Sequence, residues 1–114
     1  MRHEMKLFSD LAFNQIASGN KTVELRLRDE KCSLLNIGDQ ILFKMADGRS
    51  VLTEVTGLCH FTNFLELFQT IPPVLSGFEI NDSVGYAADW MYSIYTADDI
   101  EKYGALGIVI KKII

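Results

Sequence analysis

Two cysteines, two prolines and two histidines are all that 114 residues supply of those types, and the scarcity excludes several chemistries. Cys32 and Cys59 lie far apart with no Cys-x-x-Cys pair, which argues against a zinc ribbon, a redox motif and a disulfide-stapled scaffold. His3 and His60 could be added to the two thiols as a four-ligand set, but the paired spacing of structural zinc sites is missing, so no metal and no cofactor is expected. No run of about 18 apolar residues occurs, and residues 1–6 do not lead into a signal-peptide core, so the chain reads as soluble and cytoplasmic with no membrane partner. Positive charge is not in surplus either. Lys and Arg number 11 against 15 Asp and Glu, a net charge of −4, so the basic field of a non-specific nucleic-acid binder is absent and an RNA site has to be local. Nor is there a glycine-rich phosphate loop or a recognised hydrolase motif.

Core material, by contrast, is ample: 48% of the residues are hydrophobic and 11% aromatic, enough for one compact domain over residues 1–114. Phe8, Leu11, Ala12 and Ile16 recur at near-helical spacing behind the possible caps Ser9 and Asp10, and Gly19-Asn20 punctuates a helix over 10–18. Thr22, Glu24, Arg26 and Arg28 then alternate with Val23, Leu25 and Leu27, the period-2 pattern of a strand with one face in the core. Gly38-Asp39 opens a strand over 40–45, Asp47-Gly48 turns it, and the β-branched run from Val51 to Leu58 returns as the second arm of a hairpin. Thr62 is a cap for a helix through Phe64, Leu65, Leu67 and Phe68, which Pro72-Pro73 stops. Residues 72–83 read as a loop, followed by a helical stretch near 84–92 with Ala87, Ala88, Trp90 and Met91 available for packing. Thr96 to Asp99 resembles a capping box, Gly104 closes the short helix, and 106–113 reads as a terminal strand. The fold class is α+β, with few enough strands to curl into a small barrel.

The chemistry concentrates in Ser18-Gly19-Asn20-Lys21-Thr22-Val23-Glu24-Leu25-Arg26. Glu24 and Arg26, two apart in an extended segment, share the face opposite Val23 and Leu25, whereas Lys21 points to the other face unless the chain bulges. A lysine beside a carboxylate in a partly dry cleft can move a proton, and an arginine can clamp a phosphate or carbonyl oxygen. On spacing alone the commoner outcome is a strand face left in water and laced by weak ion pairs. Trp90, Tyr92 and Tyr95 are candidates for stacking unpaired bases or, more commonly in small domains, for the core. His3 and Lys6 can reach a cleft mouth or simply be exposed, and Arg28 and Lys31 are offset by Asp29 and Glu30.

The run Gly19-Asn20-Lys21-Thr22-Val23-Glu24-Leu25-Arg26, followed by Gly38-Asp39-Gln40-Ile41-Leu42-Phe43, resembles the activating-signal-cointegrator homology (ASCH) domain. His3-Glu4-Met5-Lys6-Leu7 and Glu101-Lys102-Tyr103-Gly104 extend the resemblance over nearly the whole chain. It implies a PUA-like fold, a small β-barrel with flanking helices around a cleft, and association with RNA; some small members are amidohydrolases acting on acetylated cytidine. By resemblance Lys21, Glu24 and Arg26 line the cleft, and Thr22, whose hydroxyl the strand period aims beside Glu24, joins them as a ligand-binding candidate. The amidohydrolases pair the lysine with a threonine where this chain has Glu24, and an ionised carboxylate cannot serve as a hydroxyl nucleophile. The leading expectation is therefore binding of RNA or a nucleoside-like ligand. Hydrolysis of an acylated cytidine, with Lys21 and Glu24 as the acid/base pair, is the alternative, and a protein-interaction module presenting an apolar patch is a third reading.

Overall fold

A computed structural model describes residues 1–113. The described residues form five strands, β1 (Arg2–Lys6), β2 (Val23–Leu27), β3 (Gln40–Lys44), β4 (Ser50–Phe61) and β5 (Ala105–Lys112), with helix α1 (Asp10–Ala17) between β1 and β2 and helices α2 (Phe64–Thr70), α3 (Val84–Met91) and α4 (Ala97–Tyr103) between β4 and β5. Short 3₁₀ turns occupy Cys32–Leu34 and Pro73–Ser76. The strands form one sheet in the order β1-β3-β4-β5-β2, curled into a half-barrel, so the α+β, PUA-like expectation holds.

The hairpin turns at Asp47-Gly48, where Gly48 takes φ 97°, a left-handed conformation that needs no Cβ. β4 is longer than its β-branched run suggested, and a bulge between Val55 and Gly57 lets it keep pairing with β5 as far as Phe61. β5 lies between β4 and β2 and is antiparallel to both. The strand β1 has no counterpart in the sequence reading. It pairs in parallel with β3, and of its five residues only Met5 is buried, so its hydrophobic pattern is too thin to announce it.

Local chemistry explains the helix limits. The Ser9 hydroxyl accepts a hydrogen bond from Ala12 N at 3.2 Å to start α1, and Ser83 and Thr96 do the same for α3 and α4. At α2 the cap is Asn63 and not Thr62: Asn63 Oδ1 accepts from Glu66 N at 2.9 Å while Glu66 Oε2 accepts from Thr62 N at 3.2 Å. A shift of one residue lets both orphan donors be satisfied. The loop expected over 72–83 contains the 3₁₀ turn begun by Pro73.

Two cores sandwich the sheet. Ile41, Phe43, Val55 and Ile108 pack with Ile16 of α1 on one side; Val23, Leu25 and Leu27 pack with Phe64, Leu67, Ala87 and Ile100 of α2, α3 and α4 on the other. Glu24 and Arg26 stand opposite Ile108 and Leu106, which belong to the first core, so the charged pair faces the inside of the curl. That corrects the expectation of a face in water: Glu24 is only 3% exposed. Two residues of the first helical pattern are also corrected, because Phe8 and Leu11 are 89% and 66% exposed and only Ile16 of that set is fully buried. On α3, Ala87, Ala88 and Met91 pack as expected, but Trp90 is left half-exposed.

The candidate metal ligands are dispersed. His3 Nε2 is 2.8 Å from Asp39 Oδ2, His60 Nε2 lies 3.1 Å from Tyr103 O, and Cys32 is buried. Among the described residues no three His, Cys, Asp or Glu side chains are placed to hold an ion, and no helix is long and apolar enough to cross a membrane.

Candidate functional site

Gly19, with φ 82°, turns the chain out of α1, and Lys21 N donates to Gln15 O at 3.0 Å, so the segment before β2 folds back along the helix. Lys21 precedes the first strand residue and escapes the strict alternation. Its Nζ lies 2.8 Å from Glu24 Oε1, on the side that period 2 would have denied it. Arg26 closes on the other oxygen, with Nε at 3.0 Å and Nη2 at 2.8 Å from Glu24 Oε2. The same Nη2 donates to Lys6 O at 3.2 Å, so Arg26 ties β2 to β1, the two edge strands of the sheet.

Burial by itself would push the Glu24 carboxyl up, but the charges and hydrogen bonds of Lys21 and Arg26 outweigh it and hold the group below the ordinary glutamate range. For Arg26, desolvation works to lower the pKa and Glu24 more than offsets it, so the guanidinium stays charged. The cluster thus carries one negative and two positive charges, a net +1, with side-chain exposures of 4% for Glu24, 11% for Lys21 and 23% for Arg26. Both Glu24 oxygens are engaged, whereas the ammonium and the guanidinium carry more N–H groups than Glu24 accepts. The carboxylate orients two cations that keep N–H groups to spare.

They face a cleft of about 670 Å³. Lys21, Glu24 and Arg26 form its base; Phe8, Leu11 and Ala12 line the α1 side; Phe78, Tyr86, Trp90 and Tyr95 line the side of α3 and the segments flanking it. This volume lies in the range of small-molecule sites, which bury a ligand in apolar walls around a few placed polar groups. Trp90 meets Phe78 edge-on, with centroids 5.7 Å apart, and keeps 46% of its surface open. Tyr95 stacks on Phe64 at 6.1 Å, and burial holds its hydroxyl above the usual tyrosine pKa. Lys6, Glu79 and Asp82 add further charged groups to the lining.

Of the sequence candidates, the fold brings Lys21, Glu24 and Arg26 together and leaves Thr22 out. Thr22 lines a separate hollow of about 190 Å³ beside Ile110, and its backbone is held by Leu75 O and Ile110 N at 2.9 Å each. It sits one residue before β2 and does not line the cleft. Tyr92 and His3 do not line the cleft, whereas Trp90, Tyr95 and Lys6 do. Sequence reasoning missed Phe8 and Leu11 as cleft residues because their helical spacing looked like core, and it missed Ser76 because nothing marks one serine in an apparent loop.

Two solved structures share the architecture. The hypothetical protein PH0355 superposes with a TM-score of 0.86 at 27% identity, covering 99% of this chain and 100% of that one. Protein PF0455 from Pyrococcus furiosus does so with a TM-score of 0.77 at 22% identity, covering 99% and 98%. No curated protein matches the chain. Strand β1 lies outside the stretch that carries the family signature, although it completes the sheet beside β3. Residues 10–114 match the ASCH domain, and with the motif, the curled sheet and the cleft on the page, the chain belongs to the ASCH domain family.

Proposed function

We propose that this protein is an RNA-binding module that takes one unstacked nucleotide of a single strand into the cleft between α1 and α3. The observation that carries the reading is the meeting of a buried, net-positive Lys21–Glu24–Arg26 cluster with half-exposed aromatic rings in one cleft large enough for a nucleotide. Trp90 and Tyr86 offer faces and edges to a base, since every base has a π-face and stacking tolerates any sequence. The spare N–H groups of Lys21 and Arg26 suit carbonyl oxygens of the base or a phosphate oxygen. Glu24 takes the role of orienting them, because both its oxygens are already engaged.

The overall charge of −4 fits a short contact better than a long phosphate track. Affinity should accordingly fall only weakly with salt, by the slope of one or two phosphates. Trp90 is the only tryptophan, so its fluorescence reports the cleft directly. Titration with short single-stranded RNA should quench or shift it saturably, Arg26→Ala should weaken the response several-fold, and duplex RNA should compete poorly. A flat signal with single-stranded RNA and with free nucleosides alike would sink the reading.

Hydrolysis of an acylated cytidine has less support. A general base works best with a pKa near the operating pH, whereas Glu24 is held ionised by two cations, and the threonine hydroxyl of the amidohydrolases is replaced by this carboxylate. Incubation with 4-acetylcytidine, followed by chromatography for cytidine, separates the two: turnover abolished by Lys21→Ala would favour the enzyme.

A further inference from the structure

Ser76 closes the 3₁₀ turn that faces the start of β2, and it is one of the residues lining the cleft. The residue is 6% exposed, and its Oγ is fully buried without a hydrogen-bond partner. Among the described residues it is the only buried side-chain polar atom in that condition. Such atoms are uncommon in folded proteins, because an unpaired buried hydroxyl has given up its water and received nothing in return.

Its backbone is fixed from both sides. Leu75 O accepts from Thr22 N at 2.9 Å, Gly77 O accepts from Gln15 Nε2 at 3.0 Å, and Gly77 N donates to Val74 O at 3.2 Å. Gly77 takes φ 95°, and a Cβ there would strike the Gln15 side chain, so the turn is clamped between α1 and β2. The chain cannot shift to find the hydroxyl a partner. Only rotation about Cα–Cβ remains, and a serine has three staggered positions for its Oγ. An alanine would meet every structural need of the site and avoid the desolvation cost.

We infer that Ser76 is a ligand-recognition residue whose hydroxyl turns into the cleft and hydrogen-bonds the polar edge of the bound nucleotide beside Lys21. The inference rests on the RNA-binding reading above and adds a residue to it. Binding then relieves a cost carried by the free protein, so the same hydroxyl weakens the empty fold and strengthens the complex. A purely structural serine would do the reverse on the first count and nothing on the second.

The test compares wild type and Ser76→Ala by thermal melting without ligand and by Trp90 fluorescence titration with single-stranded hexamers of adenylate, cytidylate and uridylate. The expected result is a higher melting temperature for the variant, by a few degrees, together with affinity about tenfold weaker for the best-bound hexamer. A variant that melts lower, or one that binds as tightly as wild type while wild type does bind, overturns the role of Ser76 and leaves the cleft reading standing. If wild type binds none of the hexamers, the cleft reading fails and the role of Ser76 falls with it.

Discussion

Replacing Glu24 by glutamine keeps the shape of the side chain and removes the one negative charge between two cations. Glu24 is 3% exposed, and its oxygens each lie 2.8 Å from a cationic nitrogen. Breaking a buried ion pair from one side costs about 3–5 kcal/mol, and since Arg26 keeps 23% of its side chain in water the lower end applies, about 3 kcal/mol. With roughly 2.1 cal/mol/K of unfolding entropy per residue, a chain of 114 residues has about 0.24 kcal/mol/K, so the melting temperature should fall by about 12 °C. A strand face in water would lose almost nothing by the same change. Calorimetry at pH 7 measures the drop, and a cycle with Lys21→Met should show the two losses to be non-additive. The pH dependence supplies a second sign. The Glu24 pKa is depressed on folding, so its stabilisation is present above the unfolded value near 4.5 and is lost as pH falls through the lower folded value. Wild type should therefore weaken below about pH 4.5 more steeply than Glu24→Gln. A variant that melts within about 2 °C of wild type, with an unchanged acid slope, would refute the view that the cluster is electrostatically buried.

Asp39, held at about 2 first by the hydrogen bond with His3 and then by Asn36 N and the terminal ammonium, should contribute stability above its ordinary value of 3.8 and lose it as pH falls toward 2. Asp39→Asn should flatten that part of an acid titration followed by circular dichroism. Gly104 takes φ 76° after α4, and a Cβ there would lie 2.5 Å from His60 Nε2 and 2.6 Å from Phe61 O. Gly104→Ala should cost at least about 2 kcal/mol, read as a lower urea midpoint at an unchanged m-value.

Where an element announces itself through its own residues, the sequence was legible. Ser9, Asp47-Gly48, Thr96 and Gly104 mark helix ends and a turn by local chemistry, and each does so in the structure. Elements that exist through distant partners were not legible: β1 shows one buried residue and depends on the parallel register His3 to Ile41 and Met5 to Phe43. The candidate site divides the same way. Period 2 put Glu24 and Arg26 on one face, but it says nothing about what covers that face, and the cover comes from the curl of the sheet and from α1 and α3. Alternation alone sends Lys21 to the other face because Lys21 precedes the strand, and it cannot tell that Thr22 lines a neighbouring hollow in place of the cleft. Trp90 and Met91 look alike in a hydrophobic pattern, yet one rims the cleft and the other is core. Helical spacing identifies a stripe without saying whether protein or ligand fills it.

The position of β5 between β4 and β2 makes the strand of the candidate site depend on the far end of the chain. The β3–β4 hairpin needs only neighbours, but β2 has no strand partner until Val109 reaches Val23 and Leu106 reaches Arg26. Closing such long loops is slow, because the chain loses its freedom before the contacts repay it. During that interval Val23, Leu25 and Leu27 form an unprotected edge, the kind of segment through which incompletely folded chains stick to one another. The strand that carries the candidate site is thus secured only once the terminal strand β5 is in place, so the Lys21–Glu24–Arg26 cluster depends on both ends of the chain.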